Sequence, residues 1–473
     1  MLAAFLPPYP FRGVSAPYLW CYYRLLAQWR DESAFFIMGR DYMRPVNEWQ
    51  GRWECDPAVQ QRLGYILPEN TRPEQHHYAW LDESRYKGWL AKAGDNPLTA
   101  FTRFLTERDP EFEHELRTLL AAAPKPISAI LTLCNVPALE SICSELGIAV
   151  IHFELGALRS PLYYETGYID FSGVNGNTES GARYQQFMNS SEGHTDNNPW
   201  KLSLSCDDLH RFFITRFAER ECVLSESDYD LGVVLQVEDD SNLLAFSNGV
   251  DNLSLITIAL QQSNAVLVRP HPGSRFTLRP GHLAQDDSCS SLAFISRCQR
   301  VLTINSSVGL EAMLLGKPVQ VLGDNAFNFI LAAKHPQEKI QRLSFYLFSY
   351  LVPFSLQLSP CYLRFRLSGP REEEIILCHL SEYMKQQGLD TDLFSTLSPA
   401  DQVAVSVVFA NQQKQHQQEK DKWQQQLNEQ LQAAQTADQL RESMRQSRSW
   451  RITRPFRVGA RLLKGDTKPL REG

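Results

Sequence analysis

The sequence predicts an α/β fold in which two doubly wound domains face a cleft and a helical extension follows. Short apolar runs of strand length alternate with helical segments over about the first 400 residues, the pattern of parallel sheets covered by helices. Polar clusters follow several of these runs, and ligands of open α/β sheets bind outside the carboxyl ends of the strands. A Gln-rich stretch without Gly or Pro, residues 411–447, predicts a long helix.

Chain length and local residue composition divide the chain into four parts. Its 473 residues suggest two or three domains, at about 100–200 residues per domain. We predict a Rossmann-like N-terminal domain at residues 1–210 and a Rossmann-like C-terminal domain at residues 211–400. The Gln-rich segment 411–447 then forms a helix or short coiled coil, and residues 448–473 form a basic amphipathic tail. A solvated single helix and a disordered tail are the plainer alternatives.

The clearest unit of the first domain runs from residue 127 to residue 153. We predict a strand at Ser128–Leu133, a helix at Pro137–Leu146 that stops at Gly147, and a strand at Ala149–Phe153. Strand, helix and strand at this spacing imply a parallel pair with a right-handed crossover. A further strand is predicted at Ala34–Met38.

The second domain repeats the pattern. Strands are predicted at Gly232–Gln236 and Ala265–Val268, with a helix at Leu253–Gln261 between them. A third strand, Val301–Ile304, leads through a polar turn into a short apolar helix, and a fourth strand follows at Val319–Leu322.

Composition excludes several classes of protein. The net charge of −7 argues against a general nucleic-acid binder, which would be basic over a whole domain. We find no basic n-region for a signal peptide and no apolar run of about 18 residues for a transmembrane helix. Ten cysteines without a C-x-x-C pair indicate reduced thiols, so we expect a cytoplasmic protein.

The most informative feature is the polar turn at Asn305, Ser306 and Ser307. Free backbone N–H groups and hydroxyls lie together where a strand enters a helix, which favours a bound phosphate. Glu311 lies one turn further along and is suited to accept hydrogen bonds from a ribose. These features make a sugar-nucleotide pocket the leading hypothesis, although all three turn residues are also common helix caps.

Three acidic residues are candidates for catalysis. Glu154 is expected just past a strand, where its carboxylate acts as a general base or orients a sugar hydroxyl; pairing with Arg159 is the structural alternative. Asp239 and Asp240 follow another strand, and only one of them is expected to reach the cleft. A carboxylate near an anomeric carbon is a nucleophile in retaining reactions. The alternative is an acidic turn that caps the next helix.

A stiff turn carries the candidate phosphate ligand His271. Prolines on both sides restrict its backbone, and Arg269 and Gly273 also suit an anion site. The chain lacks the Gly-rich phosphate-binding signatures and any clustered metal-ligand set, so we expect neither a cofactor nor a metal.

Five motifs in this order resemble those of the bacterial β-Kdo glycosyltransferases of capsule and O-antigen synthesis, where Kdo is 3-deoxy-D-manno-octulosonic acid. The motifs are E-x-G-x-x-R at Glu154–Arg159, G-V-N at Gly173–Asn175, Q-x-x-x-D-S at Gln236–Ser241, R-P-H-P-G at Arg269–Gly273 and N-S-S-V-G-L-E-A-x-L-L-G-K-P-V at Asn305–Val319. The tail phrase S-W-R-I-T-R-P-F-R is similar to one that follows coiled coils in polysaccharide-assembly proteins.

The resemblance implies a GT-B fold, CMP-β-Kdo as donor, retention of configuration and no catalytic metal. It makes Asp240 the expected nucleophile, with Asp239 as the alternative, and Glu154 the acid/base or acceptor-orienting carboxylate. The expected donor-binding residues are Arg159, Gln236, Arg269, His271, Gly273, Asn305, Ser306, Ser307 and Glu311. Among them His271, Ser306 and Ser307 hold the CMP phosphate and Glu311 the ribose, and Arg159 meets the Kdo carboxylate because of its charge.

The predicted function is therefore transfer of Kdo from CMP-β-Kdo to a lipid-linked glycan in O-antigen or capsule assembly. The alternatives are an inverting transferase for CMP-sialic acid or another nucleotide sugar, and a non-catalytic scaffold. Basic and aromatic residues alternate in the tail, which predicts contact with an anionic membrane surface or an assembly partner at the inner face of the cytoplasmic membrane.

Overall fold

The computed structural model describes most of the chain. The described residues are 1–7, 19–43, 72–189, 204–215, 218, 227–274, 276–279, 281, 283–389 and 399–464. The chain divides into two compact units, Met1–Val407 and Val408–Gly473.

The first unit contains two β-sheets. The strands are β1 Leu2–Phe5, β2 Phe35–Met38, β3 His77–Trp80, β4 Ala129–Thr132, β5 Ala149–Leu155, β6 Thr166–Asp170, β7 Tyr229–Val234, β8 Val266–Arg269, β9 Ala284–Gln285, β10 Cys298–Thr303, β11 Val319–Val321 and β12 Leu351–Pro353. The first sheet has the order β12-β6-β5-β4-β1-β2-β3 and the second the order β11-β10-β7-β8-β9.

Eighteen α-helices occur among the described residues. They are α1 Leu19–Gln28, α2 Glu83–Lys92, α3 Pro97–Thr106, α4 Pro110–Ala121, α5 Pro137–Leu146, α6 Ser180–Asn189, α7 Cys206–Phe213, α8 Ser241–Phe246, α9 Asn252–Gln262, α10 Ser291–Ser296, α11 Val308–Leu314, α12 Asn328–Leu331, α13 Pro336–Phe345, α14 Pro360–Leu367, α15 Glu372–Gln386, α16 Pro399–Gln446, α17 Arg448–Ile452 and α18 Arg454–Leu463. Short 3₁₀ turns occur at Arg40–Met43 and Pro73–Gln75, and Tyr346–Tyr350 forms a π-helical turn after α13.

The first sheet is parallel from β3 to β5 and antiparallel beyond it. Strand β1 pairs in parallel with both β2 and β4, and β4 pairs in parallel with β5. Strands β1 and β2 are uninterrupted apolar runs, β4 is apolar up to Thr132, and every residue of the three strands is buried. This is the pattern of central strands with both faces covered. Strand β6 then runs antiparallel to β5, and β12 antiparallel to β6.

The second sheet is parallel throughout its five strands. Gly232 in the central strand β7 permits close packing, because a Cβ atom there would lie 2.7 Å from Cys298 Sγ and 2.8 Å from Phe294 Cζ. The glycine thus lets α10 and the start of β10 approach the sheet.

Most predicted elements are confirmed within about two residues, the usual uncertainty of an element boundary. Helix α5 has the predicted bounds and ends at Gly147 with φ of 68°, as a left-handed stop requires. One detail was wrong: β5 continues to Leu155, so Glu154 lies inside a strand and not just past it. The register explains this, because Glu154 pairs with Tyr168 across the antiparallel ladder to β6.

Two parallel-sheet halves confirm the predicted α/β, GT-B type of fold. After the second sheet the chain returns to the first, because β12 pairs with β6. Helices α14 and α15 follow on that side, and Tyr362 and Leu363 of α14 enter the core of the first sheet. The boundary near residue 210 stays a prediction.

The second unit is helical, as predicted. Helix α16 runs for 48 residues and begins at Pro399 instead of residue 411. Its Trp423 is 73% exposed and Leu440 is 63% exposed, and coiled-coil pairing stays a prediction. Residues 465–473 of the predicted tail lie outside the described residues. None of the helices among the described residues has both the length and the apolar character needed to span a membrane.

Candidate functional site

The candidate site lies at the carboxyl ends of β7, β8 and β10. Gln236 follows β7 by two residues, Arg269 ends β8, and Asn305 follows β10 by two residues. Because these three strands are neighbours in a parallel sheet, their ends meet at one edge. The structure therefore brings together the motifs predicted to hold the donor.

Gln236 and Asn305 form a reciprocal pair at the base of this site. Gln236 Nε2 donates to Asn305 Oδ1 at 2.7 Å, and the Asn305 backbone N–H donates to Gln236 Oε1 at 3.0 Å. Both residues are buried. Asn252 also holds the Gln236 backbone, accepting from its N–H at 3.0 Å and donating to its carbonyl at 2.8 Å. The Gln236 amide is thus engaged with Asn305 and orients the polar turn.

The same asparagine fixes the helix that begins after Asp240. Asn305 Nδ2 donates to the carbonyl of Asn242 at 3.1 Å and to that of Phe246 at 3.2 Å, the first and last turns of α8. Asp240 is the N-cap of α8, and its Oδ1 accepts from the Asn242 N–H at 2.8 Å. The capping interpretation of Asp240 is therefore correct. The hydrogen bond from Asn242 engages Oδ1 of Asp240, and a nucleophilic role for Asp240 stays a prediction.

The acidic segment before α8 contains a residue whose role the sequence did not predict. Glu238 Oε1 accepts from Ser274 Oγ, from the Phe276 N–H at 2.9 Å and from Asn252 Nδ2 at 3.3 Å. Glu238 therefore ties the loop after His271 to the end of β7. Asp239 is half-buried beside it. The only sequence signal for Glu238 was its place in an acidic run.

The His271 ring accepts a hydrogen bond through Nδ1. The Gly273 N–H donates to His271 Nδ1 at 3.0 Å, so Nδ1 is an acceptor and the proton is on Nε2. Although the residue is exposed, the surrounding protein partly desolvates the ring, which lowers its pKa below the usual 6.5; the Asp240 charge opposes this. His271 thus offers an Nε2–H donor.

Arg159 links the first sheet to this site. It lies in the loop after β5, and its Nε donates to the Gly156 carbonyl at 3.1 Å. A Cβ atom at Gly156 would lie 2.1 Å from Thr166 Oγ1, so only glycine fits this tight loop. The charge of Arg159 acts on two residues of the second sheet's side: it adds to the burial that lowers the pKa of His271, and it opposes the burial that raises the pKa of Glu311. The predicted grouping of Arg159 with the donor-binding motifs is consistent with this electrostatic contact.

Two carboxyl groups on the first-sheet side are Glu154 and Glu165. Glu154 is half-buried and its Oε1 accepts from the Leu155 N–H at 2.7 Å. Glu165 was missed by the sequence analysis because no motif surrounds it. Burial raises its pKa to about 7, against the opposing charges of Arg24 and Arg159. Two carboxyl groups therefore belong to the side on which an acceptor is expected.

Glu311 is buried in α11 and accepts from Ser291 Oγ at 2.6 Å. Burial raises its pKa to about 7. Of the two serines, Ser306 Oγ accepts from the Val308 N–H at 3.3 Å, whereas Ser307 is the N-cap and makes no side-chain capping bond. Ser307 thus occupies the N-cap position, whereas Ser306 supplies the side-chain acceptor for the first helical N–H, and a phosphate role stays a prediction for both.

Arg269 is partly committed to the protein. Its Nη1 contacts Asp286, whose side chain is fully buried, and donates to Ser288 Oγ at 3.3 Å. Its charge nevertheless adds to the burial that lowers the pKa of His271 and opposes the burial that raises the pKa of Glu311. A Cβ atom at Gly273 would meet His271 Nδ1 at 3.4 Å, an ordinary contact distance, so sterics alone do not demand this glycine.

The G-V-N motif joins the two halves of the site. Asn175 has φ of 65°, its N–H donates to Tyr168 OH at 3.0 Å, and its Nδ2 donates to Ser241 Oγ at 3.3 Å. A Cβ atom at Gly176 would lie 2.6 Å from both Asp324 Cβ and Phe246 Cδ1. The loop after β6 therefore rests directly on α8. Across the described ranges, no group of three or more His, Cys, Asp or Glu side chains is arranged to hold a metal ion.

Two family models match the chain. Residues 4–179 match the glycosyltransferase 99 family N-terminal domain, and residues 221–331 match the capsule polysaccharide biosynthesis protein family. These two ranges contain all five motifs that carry the predicted resemblance. Two parts of the chain are thus similar to a glycosyltransferase family and to a capsule polysaccharide biosynthesis family. Both matches agree with the resemblance predicted from the sequence.

Individual relatives are more distant. FixF from Sinorhizobium fredii is 46% identical over 59 residues, and this segment spans 12% of the present chain and 12% of FixF. Among solved structures, KpsC β-Kdo 2,7 transferase from Thermosulfurimonas dismutans is 16% identical, with 68% of this chain and 92% of that chain covered and a TM-score of 0.33. The β-Kdo 2,4 transferase of the same KpsC is 14% identical, covering 47% and 80%, with a TM-score of 0.33.

Proposed function

We propose that this protein transfers Kdo from CMP-β-Kdo to a glycan acceptor in O-antigen or capsule assembly, with retention of configuration. The observation that carries the proposal is the placement of Asp240. It begins α8 at the carboxyl edge of the second sheet, and its charge acts on His271, the candidate phosphate ligand. A nucleophile and a leaving-group ligand are thus neighbours in one site, as double displacement requires.

In the proposed first step the Asp240 carboxylate attacks the anomeric carbon of Kdo. A bond forms from a carboxylate oxygen to that carbon, and the bond to the CMP phosphate oxygen breaks. CMP leaves as the anion, so it needs charge stabilisation more than a proton. The Nε2–H of His271 and the charges of Arg159 and Arg269 supply that stabilisation from fixed positions.

In the second step an acceptor hydroxyl attacks the same carbon and releases Asp240. The hydroxyl must lose its proton, and a half-buried carboxyl on the first-sheet side, Glu154, is the proposed base. Glu165, whose pKa lies near 7, is the second carboxyl on that side. Two inversions at one carbon give net retention.

Rigid support for Asp240 favours this mechanism over a mobile acidic turn. Asn305 holds both ends of α8, Gln236 holds Asn305, and α8 packs against α3 of the first half. Reacting groups need such fixed positions, because a displacement of about 1 Å costs orders of magnitude in rate.

One observation favours a second candidate function. Because Asp240 serves as the N-cap of α8, its carboxylate has a structural role that does not require chemistry. In that case the same fold would invert configuration in a single displacement, with CMP-sialic acid or another nucleotide sugar as donor. A non-catalytic scaffold is the remaining alternative.

A donor panel tests the proposal. The protein is mixed separately with CMP-Kdo generated in situ, CMP-sialic acid and a UDP-sugar, and nucleotide release is followed against protein-free controls. Release of CMP from CMP-Kdo alone supports the proposal. Release of the nucleotide from another donor would show that the site uses that donor sugar instead. If no nucleotide is released and CMP does not bind, the non-catalytic scaffold is supported.

A further inference from the structure

The last described segment, residues 448–464, exposes apolar side chains on two short helices, α17 and α18. Ile452 is 71% exposed, Phe456 78% and Leu463 90%, and Trp450 is 39% exposed. Large apolar side chains at such exposure are costly in water, and several of them in one short segment indicate a surface that is covered by something else.

The same segment is strongly basic. Its charged residues are Arg448, Arg451, Arg454, Arg457, Arg461 and Lys464. No Asp or Glu occurs between positions 448 and 464, although the whole chain has a net charge of −7. Positive charge is therefore concentrated here against the trend of the chain.

Apolar and basic positions follow helical spacing in α18. Phe456 and Leu463 are seven residues apart, which returns to the same side of a helix. Arginines recur at 454, 457 and 461, the spacing of another side. Arg457 also fastens α18 to α17: its guanidinium lies 3.6 Å from the centre of the Trp450 ring, and Nη2 donates to the Trp450 carbonyl at 2.6 Å.

The Gln-rich helix provides an internal comparison. It also exposes large apolar side chains, such as Trp423 and Leu427. Its segment 411–447 nevertheless carries five basic residues, namely Lys414, Lys420, Lys422, Arg441 and Arg445, against five acidic ones, namely Glu419, Asp421, Glu429, Asp438 and Glu442. Segment 411–447 thus exposes apolar side chains without a net charge, whereas segment 448–464 exposes them together with an excess of positive charge.

We propose that α17 and α18 form an interfacial segment that lies on an anionic lipid surface. The apolar residues Ile452, Phe456 and Leu463 enter the boundary between headgroups and acyl chains, and the arginines contact anionic headgroups. Charge complementarity selects this occupant over a neutral surface. The inference is independent of the donor and of the proposed reaction.

Vesicle flotation of the full chain tests this. Phosphatidylcholine vesicles are compared with vesicles that also contain phosphatidylglycerol. We expect the protein to float with the anionic vesicles and to remain unbound with neutral ones. Phe456→Ser and Arg451→Glu should each weaken partitioning by about tenfold, since each removes apolar contact or charge at the surface. Added salt should weaken binding of the unaltered chain.

Matched variants in the Gln-rich helix control for exposure and charge alone. Trp423→Ser and Lys422→Glu make equivalent changes outside the segment and should leave flotation unchanged. Circular dichroism of each variant confirms that the fold is intact.

Three outcomes would overturn the inference. The unaltered chain does not float with anionic vesicles, it floats equally with neutral ones, or the segment variants float as well as their controls. Binding to washed bacterial membranes that is lost after protease treatment of those membranes, without vesicle binding, would assign the surface to a protein partner.

Discussion

Asn175 of the first half donates from Nδ2 to Ser241 Oγ of the second half at 3.3 Å. Ser241 directly follows Asp240, so a loop of the first sheet bonds to the start of the helix that Asp240 caps. The backbone of Asn175 is itself held by Tyr168 OH at 3.0 Å. The two halves of the site are thus coupled at the residue next to the proposed nucleophile.

Asn175→Gly removes this bond while preserving the left-handed backbone, since glycine accepts φ of 65° without strain. We expect formation of the Kdo–enzyme adduct to slow about three- to tenfold, the effect of one neutral hydrogen bond, with CMP affinity unchanged. Rapid mixing and intact-protein mass spectrometry measure the rate. Asn248→Gly, at another left-handed asparagine, is the control and should keep the parent rate. A parent rate in Asn175→Gly would contradict the coupling.

Gln236→Leu tests the reciprocal pair at the base of the site. The change leaves Asn305 Oδ1 and the Asn305 backbone N–H without their Gln236 partner. We expect destabilisation by about 1–3 kcal/mol, the cost of buried polar groups that lose their hydrogen bonds. Urea unfolding followed by tryptophan fluorescence measures it. Gln261→Leu, on an exposed part of α9, should change stability by about 0.5 kcal/mol or less. Equal effects would show that the pair does not stabilise the site.

The raised pKa of Glu311 predicts that this carboxyl stabilises the folded state at low pH and ceases to do so as the pH rises. Its pKa is raised from 4.5 to about 7, so the native state retains a proton that the unfolded chain has released. The contribution of this carboxyl to stability is therefore complete below pH 4.5 and is lost as the pH rises to about 7. Glu311→Gln is neutral at every pH and should be more stable than the parent at pH 8, by about 1–3 kcal/mol, and not at pH 4.5.

Thermal midpoints at the two pH values measure this difference, with Glu107→Gln at the protein surface as the control. The same Glu311→Gln variant should bind CMP less tightly, because a carboxylate is a stronger acceptor for ribose hydroxyls than an amide. Tighter or unchanged CMP binding would remove Glu311 from the ribose site.

His271→Ala should weaken CMP binding about tenfold or more, the effect of losing a hydrogen bond to a charged group. The physical reason is that Nε2–H is the donor left after Nδ1 accepts from Gly273. Isothermal titration with CMP measures the affinity. His114→Ala, at an exposed position on α4, serves as the control. Unchanged affinity in His271→Ala would exclude His271 as a phosphate ligand.

The sequence predicted the sheets and the polar edge of the site well, because buried strands and helix stops have local signals. The helix α5 and its stop at Gly147 depend on apolar spacing and one left-handed glycine, both visible in the sequence. The position of Glu154 was not predictable, since it depends on the antiparallel register with β6. The return of β12 to the first sheet, likewise, is a contact between residues far apart in the chain.

Side-chain partners were the least predictable part of the site. Glu238 and Asp240 are close together in an acidic run, yet one anchors the His271 loop and the other caps α8. Glu165 carries no motif, and its raised pKa arises from burial that only the folded chain creates. Motifs therefore predicted which residues lie together at the edge of the sheet, whereas the hydrogen-bond partners of each side chain depended on three-dimensional neighbours.

Asp240→Asn separates the two roles of the central residue. Asparagine is as good an N-cap as aspartate, so α8 should retain its stability, whereas the amide is not a nucleophile. Asp251, the N-cap of α9, accepts from the Ser254 N–H at 2.7 Å and offers the matched substitution Asp251→Asn. The free energy of unfolding of each variant should lie within about 0.5 kcal/mol of the parent's value, as expected for replacements that preserve a cap.

The most direct test of the account is intact-protein mass spectrometry after mixing with CMP-Kdo generated in situ, without acceptor. We predict a mass increase of one Kdo for the parent and for Asp251→Asn, and none for Asp240→Asn, which still binds CMP. An adduct of equal yield on Asp240→Asn would contradict Asp240 as the nucleophile. CMP release without any adduct on the parent would contradict the retaining mechanism itself.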